Sequence, residues 1–140
     1  MYLLDTDHLS IAIEDTIEGF TLGMRLELIP AKDLAVTIIT YEEQMRGWLS
    51  YVAQSKTIDQ QVNAYDKLRS HIERFRSIPI VDFDRRAALE FERLRKAKIR
   101  TGTMDLKIAA IAFVNNATLL TRNYVDFAKV PYLKFEDWTV

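Results

Sequence analysis

The chain opens on an apolar run, Met1-Tyr2-Leu3-Leu4, that stops abruptly on Asp5-Thr6-Asp7. The run is too short for a membrane span and lacks the basic flank and apolar stretch of a signal peptide. It reads as a buried strand over residues 2–5. A buried strand that ends on an acid constrains everything downstream. The carboxyl ends of strands in an open α/β sheet are where ligands bind. A carboxylate placed directly after a buried strand is costly unless it is paired or metal-bound.

The rest of the chain supplies such a sheet. Asp7 caps a short helix that includes His8 and Ile11. Ile17, Phe20, Met24 and Leu28 recur at helical spacing between Asp15 and Leu28, and Pro30 closes that element. Leu34 to Ile39 is a β-branched strand. A helix starts at Thr40, with Tyr41, Met45, Trp48, Leu49 and Val52 on its apolar face. After the polar turn 54–57 a second helix carries Ile58, Val62, Tyr65, Leu68, Ile72 and Phe75, and Thr57-x-x-Gln60 forms a capping box at its start. The two form a protruding helical hairpin, with His71 in its exposed stripe.

Ile78 to Phe83 is the third strand, and Asp84 caps a helix through Ala87, Ala88, Phe91 and Leu94. The Arg100-Thr101-Gly102 loop breaks that helix. Asp105 to Asn116 is apolar round most of its circumference, the mark of a buried helix. Thr118 to Thr121 is the fourth strand, and residues 131–135 add a short fifth. Strands separated by helices predict a three-layer α/β/α fold with a parallel sheet of four to five strands.

The chain has 140 residues, 49% hydrophobic and 28% charged, and no Gly-, Ser- or Pro-rich linker, which predicts a single domain over 1–140. There is no cysteine, so disulfide and thiolate chemistry are excluded and a cytoplasmic location is expected. The net charge is −1, so nucleic-acid binding requires a local patch. Arg93, Arg95, Lys96, Lys98 and Arg100 crowd together late in one helix and in its following loop, where cations near the helix end are also favoured by the helix dipole.

Parallel topology gathers candidate groups at one sheet edge. Asp5 ends the first strand. The Thr40–Glu43 turn follows the second; Thr40-x-x-Glu43 is also a capping box, and on the residues alone capping is the favoured role, with Glu42 next to it as an alternative ligand. Asp105 lies in the first turn of the buried helix. Asn123 follows the fourth strand as a turn residue, and Asp126 caps a final short helix. Several carboxylates at one edge repel unless a cation holds them. An all-oxygen donor set with two histidines in the whole chain selects a hard cation, Mg²⁺ or Mn²⁺, over zinc. His8 reads as a packing residue of the first helix.

Four segments, taken in order, resemble PIN-domain ribonucleases, specifically VapC-type toxins of bacterial toxin–antitoxin pairs: Leu3-Leu4-Asp5-Thr6-Asp7, Ile39 to Gly47, Gly102 to Ala110, and Leu119 to Asn123 continuing to Phe127. The tail from Val130 to Trp138 fits as well. The resemblance implies a PIN-like fold and Mg²⁺- or Mn²⁺-dependent endoribonuclease activity. It also implies a homodimer and a small cognate antitoxin. It assigns the first acid to Asp5 and the third to Asp105. A Thr-x-x-Glu-x-x-x-Gly pattern selects Glu43 over Glu42. The fourth position, often Asp in the family, is Asn123 here, with Asp126 as a substitute metal-side carboxylate. Asp7 stands where the family often has Asn.

Within that resemblance Arg122 is a phosphate contact, the 93–100 segment becomes an RNA-backbone clamp, and Arg46 reads as a surface arginine. Two alternatives remain: a haloacid-dehalogenase-like phosphatase with Asp5 as nucleophile and Asp7 as general acid, and a PIN-like scaffold that has lost catalysis, beginning at Asn123.

Overall fold

A computed structural model describes every residue from Met1 to Val140. Five strands form one parallel sheet: β1 (Tyr2–Leu4), β2 (Leu34–Thr37), β3 (Ile80–Val81), β4 (Thr118–Leu120) and β5 (Lys134–Glu136). Their order is β3-β2-β1-β4-β5. Seven helices connect them: α1 (Thr6–Ile11), α2 (Ile17–Glu27), α3 (Ile38–Ala53), α4 (Ile58–Phe75), α5 (Arg85–Lys96), α6 (Thr103–Val114) and α7 (Tyr124–Phe127). The chain winds outward from β1 to β2 and β3, then returns past β1 to β4 and β5. The winding direction therefore reverses between β1 and β4, where Leu3 pairs with Leu119 and Leu4 with Leu120.

Side chains alternate across each strand, so successive residues feed opposite layers. Leu3, Ala35 and Leu119 join Ala87, Phe91 and Leu94 of α5 and six buried residues of α6 in one core. Leu4, Val36 and Leu120 face the other way, onto Leu9, Leu22, Trp48, Phe75 and Trp138. This is the three-layer arrangement expected from the sequence. No helix is long and apolar enough to cross a membrane.

The capping box at Thr57 and Gln60 forms. Along the hairpin of α3 and α4, Tyr41 and Trp48 meet Phe75 edge-on. His71 departs from expectation: it is half-buried and stacks on Trp48, with ring centroids 4.5 Å apart and planes 3° from parallel.

Several boundaries differ from the sequence reading, and the local hydrogen bonds explain the two beside the site. β1 ends at Leu4, because Asp5 leaves the strand to cap α1: its Oδ1 accepts the Thr6 amide at 2.7 Å. Asp7 is therefore inside the helix and not its cap. β2 ends at Thr37, whose Oγ1 accepts the Thr40 amide at 3.0 Å, so α3 begins at Ile38. The third strand shrinks to Ile80–Val81 and the fifth shifts to Lys134–Glu136.

The face of α2 predicted to be apolar and inward is turned to solvent: Ile17 is 84% exposed and Leu28 82%. Gly19 decides this. A Cβ there would stand 2.3 Å from the Glu14 carbonyl oxygen and 2.7 Å from that of Ile11. The helix start can press against the end of α1 only on its glycine side, which turns Leu22 inward.

Candidate functional site

The reversal between β1 and β4 is a topological switch point, the crevice where open α/β sheets bind ligands. Asp5 sits at its centre. It is 7% exposed. One carboxylate oxygen accepts the Thr6 amide; the other accepts the Thr121 hydroxyl at 2.8 Å, from the end of β4. The Asp5 amide donates to the Leu120 carbonyl at 2.9 Å, extending the ladder by one residue. Burial pushes the Asp5 carboxyl above its ordinary range, although both hydrogen bonds pull it down.

Glu43 arrives from α3. With Thr37 as the cap, Glu43 lies well inside the first two turns and is not engaged in capping. Its Oε1 accepts the Thr6 hydroxyl at 3.3 Å, which ties it to the residue after Asp5. Burial raises its carboxyl, and the charges of Asp5 and Asp105 raise it further. Glu42 instead pairs with Arg46 on the exposed side of the helix. Gly47 lies in open space, where an added Cβ would meet nothing within 4 Å.

Asp105 is half-buried in the first turn of α6. Burial, then the charges of Asp5, Asp126 and Asp7, push its carboxyl up to about 6. Asn123 caps α7, taking the role expected of Asp126. Its Nδ2 donates to Asp105 Oδ2 at 3.3 Å and to Asp126 Oδ2 at 3.0 Å, while its Oδ1 accepts the Asp126 amide. Hydrogen bonding from Asn123 lowers the Asp126 carboxyl, helped by Lys129.

All five predicted site residues therefore gather at the β1–β4 edge, linked by hydrogen bonds or by mutual charge. No three of the chain's His, Asp or Glu groups close to metal-ligating distance. The donor set is nonetheless oxygen-only, half-open to solvent, and carries like charges that oppose one another's ionisation. Such a set suits a hydrated divalent cation such as Mg²⁺, which retains several waters and needs few direct carboxylates.

Asp7 is held elsewhere. Burial raises its carboxyl, but the attraction and hydrogen bonding of His8 and the Arg122 amide outweigh this and leave it below its ordinary range. The basic segment is partly neutralised: Arg93 pairs with Glu90 and Arg95 with Glu92. Arg122, next to Asn123, is exposed.

Two hydroxyls that carry the geometry, Thr6 and Thr121, were not anticipated from the sequence. Their signal is positional: each directly follows a buried strand end or its acid, and the two strands involved are neighbours only in the folded sheet.

A family model described as PIN domain matches residues 2–132. Ribonuclease VapC2 of Rickettsia felis is 29% identical over 142 residues, covering 99% of this chain and 98% of that protein. Ribonuclease VapC1 of Haemophilus influenzae is 25% identical, with 99% and 98% covered. Among solved structures, VapBC2 from Rickettsia felis, bound to a DNA fragment from its promoter, matches with a TM-score of 0.68 at 28% identity, covering 98% of each chain. FitAcB from Neisseria gonorrhoeae superposes with a TM-score of 0.75 over the whole of both chains at 22% identity, a likeness of fold. A match that runs from the first strand through the acid-lined edge and past α7 leaves one assignment: the chain belongs to the PIN domain family.

Proposed function

We propose that the protein is a divalent-metal-dependent endoribonuclease of the VapC toxin type. The observation that carries this reading is the gathering of carboxylates at the switch point, where burial, and then the charges of its neighbours, raise the Asp105 carboxyl to about 6 beside a buried Asp5. In this reading Asp5, Glu43 and Asp105 hold Mg²⁺ or Mn²⁺, and Asn123 with Asp126 forms the fourth side. A divalent ion bound there supplies Lewis acidity for hydrolysis of a phosphodiester.

The chain's own residues do the rest. Thr121 and the Thr6 amide orient Asp5, so that its two oxygens stay fixed on the floor of the crevice. Thr6 orients Glu43 from the opposite side. Asn123 holds Asp105 and Asp126 at one turn and adds no negative charge of its own. Arg122, exposed on that turn, contacts the RNA backbone as it enters.

The relatives named VapC are ribonucleases, and solved neighbours are VapBC toxin–antitoxin complexes, some bound to DNA. We extend this to the present chain: its partners are an RNA substrate, a small cognate antitoxin and a second copy of itself, in the cytoplasm.

The phosphatase alternative needs Asp7 as a general acid, which must be protonated to act. Its lowered carboxyl and its contact with the His8 ring, Nδ1 to Oδ1 at 3.3 Å, oppose that role. The test is isosteric. Asp5→Asn keeps an oxygen for the Thr6 amide and turns an N–H toward Thr121, whose hydroxyl can accept it, so the fold is expected to survive. Manganese binding by calorimetry and metal-dependent cleavage of RNA should both be lost. Wild-type cleavage by this variant, or cleavage unaffected by chelator, would sink the reading. A wild-type protein that binds no manganese at millimolar concentration supports the non-catalytic scaffold instead.

A further inference from the structure

The start of α6 is held against α7 at two places, and only one of them involves the acids already described. Asn123 Nδ2 donates to Asp105 Oδ2 at 3.3 Å. Further back along the chain, the half-buried Thr101 donates its hydroxyl to the Asp126 backbone carbonyl at 3.1 Å. Segments 101–105 and 123–126 are thus joined at both ends, and the two hydrogen bonds close a frame. Within the second segment, Asn123 Nδ2 also reaches Asp126 Oδ2 at 3.0 Å.

Lys129 braces the end of the frame away from Asp105. Its Nζ donates to the Arg100 backbone carbonyl at 2.9 Å and to Asp126 Oδ1 at 3.4 Å. One ammonium therefore grips both the residue before Thr101 and the side chain of the residue that Thr101 bonds. The loop it holds is short. The chain turns at Lys98, in the left-handed region with φ 57°, and Ile99 packs against the main core. Gly102 then leads into α6 with no side-chain cap, its carbonyl accepting the Leu106 amide at 3.0 Å. With no cap at the helix start, the bonds of Arg100 and Thr101 are the polar contacts that seat it on α7.

A matching lysine stands at the other end of the helix. Lys134 Nζ donates to Asn116 Oδ1 at 2.7 Å and to the Asn116 carbonyl at 3.4 Å. Asn116 lies between α6 and the beginning of β4, at the sheet edge opposite the acids.

We propose that Lys129 and Thr101 are positioning residues, which lock the start of α6 onto α7 and thereby fix Asp105 within the acidic edge. The clasp would persist in a protein of any activity; its consequence for metal binding and cleavage rests on the ribonuclease reading.

Variants of the full chain test this. Lys129→Met keeps the aliphatic stem and loses the donors, and Lys129→Arg restores them. Thr101→Val keeps the shape and loses the hydroxyl without altering charge. Lys134→Met removes the lysine at the far end of the same helix. Misplacing a reacting group by about 1 Å costs about a hundredfold in rate, and a loosened helix start costs less. Lys129→Met and Thr101→Val should each lower kcat for RNA about five- to thirtyfold with KM within about twofold, and weaken Mn²⁺ binding in calorimetry about three- to tenfold. Lys129→Arg should recover to within about threefold of wild type. Lys134→Met should cleave and bind metal as wild type does. Hydrogen exchange at the Leu106 amide should quicken about tenfold in Lys129→Met and Thr101→Val and keep its wild-type rate in Lys134→Met.

A Lys129→Met protein with raised KM and wild-type kcat overturns the proposal, because the lysine would then be an RNA contact. So does a Thr101→Val protein with wild-type kcat, or a Lys134→Met protein that loses as much kcat as Lys129→Met. If wild type neither binds manganese nor cuts RNA, the ribonuclease reading fails, while exchange at Leu106 still decides for or against the clasp.

Discussion

Asp105→Asn sets the electrostatics of the site against its chemistry. In the folded protein the Asp105 carboxyl is raised from 3.8 to about 6, by burial and then by Asp5, Asp126 and Asp7. A carboxyl raised on folding opposes the folded state wherever it is ionised there. The penalty is absent below about pH 4, grows as pH rises through the interval between the unfolded and folded values, and is complete above about pH 7. A shift of two units corresponds to about 3 kcal/mol. Asp105 is only half-buried, and solvent screening reduces this to about 1–2 kcal/mol. The isosteric amide removes the charge and still offers an oxygen to Asn123.

The metal-free Asp105→Asn protein should therefore be more stable than wild type at about pH 8, with a melting temperature higher by about 3–8 °C. It should equal wild type at about pH 4. Manganese reverses the order. An ion at about a hundred times its dissociation constant stabilises wild type by about 2.7 kcal/mol, and should leave the variant unmoved. The assay is thermal unfolding across pH, with and without Mn²⁺, alongside RNA cleavage. A variant that is less stable than wild type at neutral pH refutes the reasoning, as does one whose difference does not vary with pH.

Other expectations follow from single contacts. Thr121→Val removes the hydroxyl that Asp5 Oδ2 accepts; leaving that buried oxygen unpaired should cost about 1–3 kcal/mol by denaturant unfolding and weaken manganese binding with it. Glu43→Gln should reduce kcat at least about a hundredfold while Glu42→Gln leaves it within about twofold, because only Glu43 faces the other acids. Arg122→Ala should raise KM for RNA and flatten the salt dependence of binding by about one unit of slope, whereas Arg93→Ala, which loses only an exposed pair with Glu90, should change neither. Gly19→Ala forces a methyl group into two backbone carbonyls and should destabilise by about 1–3 kcal/mol in chemical denaturation, without affecting metal affinity.

What could be read from the chain alone was what depends on local pattern. Strand runs alternating with helical spacing specify a parallel sheet between helix layers, because parallel strands require long crossovers. The apolar circumference of residues 105–116 specifies a buried helix, and α6 is buried on nearly every side. The acids at strand ends and helix starts had to share one edge, since parallel topology leaves them no other place.

Only the tertiary structure decided which group does what at that edge. Thr37, not Thr40, caps α3, because β2 ends two residues early, and this frees Glu43 to meet Thr6. Asn123, not Asp126, caps α7, and so bridges Asp105 to Asp126. The inward face of α2 was set by a close approach at Gly19 that no periodicity contains. The support of Asp5 by Thr121, and the bond from the Trp138 amide to the His8 ring, join residues more than a hundred positions apart. Helical and strand periods are properties of a few consecutive residues. A hydrogen bond across a switch point exists only once β1 and β4, the first strand and nearly the last, lie side by side.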